Sequence, residues 1–367
     1  MSLLNTVANS RLLKTERPIV IALVLLLLGL LLEHSAISHG GVLLWGLLLI
    51  ILAAIIGVAF RISHHAEVLA VRLGEPYGTL ILTMAAVSVE VVILVVLLQG
   101  EPNPTLARDT VFAAVMFDIN GILGLAAIVG GLAHGTPRYN LDSANAFIAM
   151  LLVALGVGMF IPDFIPDAQW RTYSLFSVLV MAVMYGAFLR LQTVEHRKFF
   201  EYGSELEEES HDQAQSPNRL HVAVMIGAIV LVGLMSEVLS ALLDAGLVGS
   251  SLPKSLPAVL VALISASPEI LTALNAARND RMQTTVNIAM GASLATVLLT
   301  LPVIEGIALF RGERIIMALT PMQAGLLLLT LLTAMNNSHD GRTNAIEGVS
   351  HLVLFAAFIA LVLMGLL

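Results

Sequence analysis

The sequence predicts an all-α polytopic membrane protein of eleven transmembrane helices, built as one helix plus two five-helix repeats of inverted topology. Three observations carry this. Of 367 residues, 58% are hydrophobic and 12% charged, whereas a soluble domain carries about 25% charged residues; the mean hydropathy is +0.92. The apolar residues fall in long runs without strict alternation, the pattern of helices rather than barrel strands. Two glutamates, Glu90 in "VSVEVV" (87–92) and Glu269 in "ASPEIL" (266–271), recur in matching runs, each two residues after a serine, Ser88 and Ser267.

Lipid satisfies no backbone polar group, so a span is a helix or a closed barrel, and a helical span takes about 20 apolar residues. Residues 18–35 form the first. Arg11, Lys14 and Arg17 precede it, and no small-residue cleavage site follows, so it reads as a retained span rather than a removed signal. Runs 41–60 and 76–98 come next, the latter holding Glu90. Run 109–133 holds Asp118 and Asn120 in "MFDIN", and 145–161 and 172–193 complete the first block. Residues 194–218, "VEHRKFFEYGSELEEESHDQAQSPN", are hydrophilic and hold six acids within 201–212; a like-charge block of this kind reads as a solvated linker. Run 219–243 carries Glu237, and 255–277 carries Glu269. Run 282–310 contains Pro302, which predicts a kink or an early end. Runs 318–335 and 349–367 close the chain. The organisation is therefore 1–36 (N-terminal segment and first span), 37–193 (first repeat), 194–218 (linker) and 219–367 (second repeat).

Charge sets the expected orientation. With eleven spans, thirteen of the eighteen Lys and Arg residues fall on the side holding the N-terminus and five on the other. The positive-inside rule then places the N-terminus in the cytoplasm and the C-terminus outside. The net charge of −8 offers no basic face for nucleic acid. Zero cysteines exclude a disulfide framework, a thiol nucleophile and an iron–sulfur site.

Glu90 and Glu269 each lie in the second helix of a five-helix block. Aligning Arg108 with Arg281 sets Asn120 opposite Ser293. Because five is odd, equivalent helices cross the bilayer in opposite directions. Secondary transporters use this arrangement and bind their cargo at the repeat interface near the midplane.

A charged acid at a helix centre costs about 2.5–3.5 kcal/mol on the insertion scale. No Lys or Arg lies within 76–98 or 255–277 to neutralise the pair. Two states relieve the cost: the carboxyls take up protons, or together they hold a cation. A site that alternates between the two is a proton/cation exchanger. Helical spacing supplies further oxygen ligands of the kind hard cations require. Ser265, Glu269 and Thr272 share one face, as do Thr83 and Glu90. Thr284, Asn287 and Gly291 form one stripe, and Ser293, Thr296 and Thr300 its neighbour. Asp118 is a third buried acid. Pro268 frees a carbonyl one turn before Glu269. Glu237 is a candidate access group, whereas Glu305 and Glu347 read as close to the membrane interface. The bland reading of each hydroxyl is a back-bond to its own helix, and of Gly121, Gly124 and Gly291 close helix packing. His64, His65, His134 and His339 read as solvated loop residues, without the spacing of a zinc site.

The chain resembles the calcium/cation antiporter superfamily, in its cation/proton exchanger branch with the bacterial ChaA-type calcium(sodium, potassium)/proton antiporters. The resemblance rests on "AEVLAVRLGEPYGTLIL" (66–82), the Glu90 helix, "MYGAFLRLQTVEH" (184–196), "SEVLSALL" (236–243), "SPEILTALNAARNDRMQTTVNIAMGAS" (267–293) and "DGRTNAIEGVSHLVLFAAF" (340–358). It implies one essential acid in each repeat, at Glu90 and Glu269, and an acidic cytoplasmic segment matching 201–212. The expectation is an inner-membrane antiporter exchanging protons for Ca2+, or for Na+ or K+, with no cofactor, no enzymatic reaction, and inorganic cations, protons and the bilayer as partners; homo-oligomer formation is left open. The alternatives are a sodium/calcium exchanger, a cation channel, and an intramembrane hydrolase, for which no catalytic motif is visible.

Overall fold

The computed structural model describes residues 15–74, 77–100, 103–195, 197–200 and 217–367; the acids at 201–212 lie outside them. Eleven long helices follow one another: α1 Arg17–His39, α2 Gly41–Leu73, α3 Tyr77–Leu97, α4 Leu106–His134, α5 Leu141–Phe164, α6 Asp167–Glu195, α7 Asn218–Leu247, α8 Leu256–Arg278, α9 Met282–Arg311, α10 Pro321–Asn337 and α11 Ala345–Leu363. Ten are long and apolar enough to cross a membrane; α10, at 17 residues, falls just short of that length. The eleven expected runs are thus all present as helices.

The burial pattern ranks them. α4 and α9 are the most enclosed, while α6, α1 and α11 are the least. α4 packs against α8, α9 and α11; α8 packs also on α2 and α3, and α2 packs closely on α7. The helices carrying the acids therefore meet at the centre. Apolar side chains such as Leu31, Val183 and Val230 cover the outside, as a lipid-facing surface requires.

Two helices depart from the sequence expectation. α2 runs thirteen residues past the predicted end at 60. Its extension keeps helical periodicity, with Ile62, Ala66, Leu69 and Ala70 buried, but its charged residues disqualify it as bilayer sequence. His64 and His65 thus lie in a helix rather than a loop, and His65 is buried. Pro302 does not end α9. The helix widens into a π turn over Thr296–Thr300 and resumes at Leu301. Proline has no N–H to give the carbonyl one turn back, and a local widening absorbs the mismatch. α4 carries a longer π segment, Met116–Leu123, which includes Asp118 and Asn120. Such bulges concentrate at functional positions.

Candidate cation site

Three carboxyls lie within electrostatic range of one another where α3, α4, α8 and α9 pack. Glu90 of α3 is 2% exposed. Its Oε2 accepts two hydrogen bonds of 3.0 Å, from Thr296 Oγ1 and Thr300 Oγ1 of α9. These two threonines open and close the π turn, so the Pro302 region of α9 presents both hydroxyls to one oxygen. The other oxygen, Oε1, is buried and has no hydrogen-bond partner among the described residues.

Asp118, 3% exposed in the π segment of α4, accepts a 3.0 Å hydrogen bond from Ser293 Oγ of α9. It lies within electrostatic range of both Glu269 and Glu90, and Glu269 within range of Glu90. Among the described residues no basic side chain acts on any of the three. Glu269 is less enclosed and borders a cavity of about 40 Å³, lined also by Ser63 and Ala66 of α2, Leu82 and Val89 of α3, and Ser265 and Pro268 of α8. That volume holds about three waters. The cavity lies toward the end of the bundle where α1 begins, since it is lined by the later part of α2 and the early part of α3.

The other predicted ligands distribute differently. Ser88 bonds to Met84 O, Ser265 to Ala262 O, Ser267 to Leu263 O and Thr272 to Pro268 O, the back-bonding expected of helix hydroxyls. Thr83 lies beside Tyr185 of α6. Asn287 is held by Phe200 O at 2.8 Å and Gln283 Nε2 at 2.8 Å, at the end of α9 remote from the acids. Asn120, two residues from Asp118, projects to the other side of α4. There its Nδ2 donates to Thr330 Oγ1 at 2.7 Å, and its Oδ1 meets His351 Nδ1 at 3.0 Å. Thr330 and His351 sit in α10 and α11, which sequence reasoning passed over because neither belongs to an acidic motif. Glu237 is exposed on the outward face of α7 with Val230 and Leu234, so it is not brought to the site. Glu305, expected near the interface, is 4% exposed inside the bundle. Among the described residues no three acidic or histidine side chains converge tightly enough to hold a metal ion by themselves; a cation bound here would draw on hydroxyl, carbonyl or water oxygens as well.

The sequence profile of the sodium/calcium exchanger protein family matches residues 43–194 and 220–364. The chain belongs to that family. It is similar to the sodium-potassium/proton antiporter ChaA of Escherichia coli (strain K12), 33% identical with 85% of this chain and 87% of that protein covered. It is also similar to the Ca(2+)/H(+) antiporter ChaA of Bacillus subtilis (strain 168), 24% identical over 83% of this chain and 87% of the other. Among solved structures it shares the fold of native YfkE with a TM-score of 0.74, at 20% identity, covering 94% of this chain and 99% of that one. The protein is accordingly a multi-pass membrane protein of a family of exchangers.

Proposed function

We propose that the chain is a secondary active antiporter that exchanges cytoplasmic Ca2+, or Na+ or K+, for protons. The single observation that carries this is the carboxyl cluster. Among the described residues Glu90 offers a buried oxygen with no partner, beside two further acids and with no basic group acting on them. Charge of one sign in a dry interior is costly, and either protons or a cation relieve it. Occupancy by one disfavours the other, which is the thermodynamic content of antiport.

Glu90 and Glu269 are the shared ligands in this reading, and Asp118, held by Ser293, adds the third charge. Thr296 and Thr300 fix Glu90 and can turn their hydroxyl oxygens to a cation. The repeats 37–193 and 219–367 rock against each other to expose the cluster alternately. The cargo is a substrate; no resident cofactor takes part and no bond is made or broken beyond proton transfer, so the protein is not an enzyme. The inner membrane is its site, with the N-terminus cytoplasmic, and the 40 Å³ cavity beside Glu269 then opens toward the cytoplasm. Relatives named for sodium-potassium/proton and for Ca(2+)/H(+) antiport support a cargo within this set.

In everted vesicles carrying a preset proton gradient, addition of Ca2+, Na+ or K+ is expected to collapse the gradient. Glu90→Gln and Glu269→Gln should each abolish that response, and undiminished exchange in either variant overturns the assignment. The family name raises a second reading, sodium-driven calcium exchange. Calcium movement that requires Na+ and ignores the pH gradient would establish that reading instead; exchange that persists in sodium-free buffer excludes it.

A further inference from the structure

A further buried acid, Glu305, lies at the opposite end of the bundle from the cavity beside Glu269. Glu305 sits in the last stretch of α9 and is 4% exposed, and its Oε2 is buried with no hydrogen-bond partner among the described residues. It borders a separate cavity of about 50 Å³, lined by Trp170, Tyr173 and Ser174 of α6, by Arg314 and by the 315–318 segment. That volume has room for about three to four waters. Ser177, one turn beyond Ser174 on α6, is fully buried, and its hydroxyl stands beside the Glu305 carboxyl. Five residues earlier on α9, about 7.5 Å along the axis, is Thr300, which donates to Glu90. One helix therefore joins a polar pocket at the far face to the central carboxyl.

We propose that Glu305 is a proton-relay acid on the far face, passing protons between the water of this cavity and Glu90; the inference rests on the antiport reading above. The surroundings favour a proton over a metal ion. Glu305 is the lone carboxylate of the pocket, and its oxygen neighbours are the hydroxyls of Ser174, Ser177 and Tyr173, the last already donating to Val157 O at 2.6 Å. A divalent cation wants about six to eight oxygens and more negative charge. The elements around the pocket also carry Asp163 on α5, Arg171 on α6 stacked over the Trp170 ring, Arg311 at the end of α9, and Glu313 beside Arg314. Arg314 binds Asp167 at 2.6 Å. Arg108 of α4 binds Asp109 at 2.8 Å and Ala318 O at 3.1 Å.

The step balances simply. Hydronium in the cavity gives its proton to Glu305 Oε2 and remains as water. The new O–H bond of Glu305 then breaks as the proton passes, through an intervening hydroxyl or water, to Glu90 Oε1. Glu305 returns to carboxylate, and one proton has moved from far-side water to the central site.

The test is exchange in proteoliposomes with the pH of each face set independently, alongside equilibrium Ca2+ and Na+ binding to the purified protein at pH 8. Glu305→Gln is expected to lower the exchange rate at least tenfold and flatten its dependence on far-side pH. Cation binding should stay within twofold of wild type, and Glu305→Asp should restore part of the pH dependence. Ser177→Val, which leaves Glu305 in place and blocks the space beside it, should slow exchange with the same pH signature; it decides the matter where Glu305→Gln does not fold. Wild-type rates and pH profile in the folded Gln variant, or in Ser177→Val, overturn the relay. Glu90→Gln runs in parallel: its inactivity with Glu305→Gln unaffected removes the relay alone, whereas activity in Glu90→Gln removes the antiport reading itself.

Discussion

Glu90 divides its work between two oxygens. Oε2 is held by Thr296 and Thr300, and Oε1 is left for whatever arrives. A hydrogen bond to a charged acceptor contributes about 1.5–3 kcal/mol, so these hydroxyls fix the position of the Glu90 carboxylate. Thr300→Val keeps shape and removes one donor. Transport should persist, with apparent cation affinity falling about five- to tenfold, and the Thr296→Val/Thr300→Val double variant should lose more than the two single losses combined, because the last donor to a buried acid is then gone. The concentration dependence of cation-triggered gradient collapse measures this. Unchanged affinity in the double variant would show that the two threonines only pack the π turn. Asn287 makes the contrast. It matched the spacing of a ligand stripe, yet its amide is occupied by Phe200 O and Gln283, so it braces the start of α9 instead of meeting the cargo.

At the scale of the helices, the centre of the bundle depends on close approach between α4 and α11. A methyl group on Gly348 would lie 2.6 Å from Gly124 O and 2.7 Å from Ile128 N, and one on Gly124 would lie 2.9 Å from His351 Cβ. Backbone atoms cannot step aside as a side chain end can. Gly348→Ala should therefore push the helices apart and destabilise the fold by about 1–3 kcal/mol. Because Asn120 reaches His351 across the same seam, it should also disturb the segment carrying Asp118. A lowered unfolding temperature in detergent together with weaker exchange is the expected result; unaltered stability would show that the seam opens without cost. Much of this architecture was readable beforehand, and for physical reasons. Hydrocarbon demands long apolar runs, so all eleven helices announced themselves. Buried acids are costly enough that Glu90, Glu269 and Asp118 stood out. Reading failed where one residue type serves two environments. Glu237 and Glu305 are both acids in apolar helices, but which face of the helix each occupies depends on neighbours that no local pattern names. The α2 extension was missed because Arg61, His64 and Glu67 signal water, although that stretch packs half its surface on protein. Pro302 marked an irregularity correctly, but whether a helix ends or widens there is decided by the packing around it.

For the molecule as a whole, α1 stands outside the repeat pair and must be fastened to it. It packs on α2 and α7, the first helix of each five-helix block. Its leading end is pinned by Glu16, whose Oε1 and Oε2 accept from Arg61 Nη2 at 2.6 Å and Arg61 Nε at 3.0 Å. His65 Nε2 stands 3.3 Å from Glu16 Oε1, and His65 Nδ1 lies 2.8 Å from His221 Nδ1 of α7. One acid thereby links the extra helix to both halves. Burial on its own would raise the Glu16 carboxyl, but the hydrogen bond and charge of Arg61, with His65 behind them, override it and hold the group below its ordinary range. A folded-state value below the unfolded one means stability that is fully present above the unfolded glutamate value of about 4.3 and is lost as pH falls through the folded value. Across the neutral range this fastening is constant, so it cannot confer pH dependence on transport there. Arg61→Gln should lower stability at pH 7 by about 1–2 kcal/mol, a figure reduced for the solvent screening of a pair at the membrane edge. The gap between variant and wild type should narrow as pH is taken below the unfolded glutamate value, where protonation progressively removes the Glu16 charge. Thermal unfolding of the two proteins in detergent at pH 7 and below that value reads the difference directly. An equal gap at both would mean that the link is held by packing of α1 on α2 and α7, with the ion pair contributing nothing measurable.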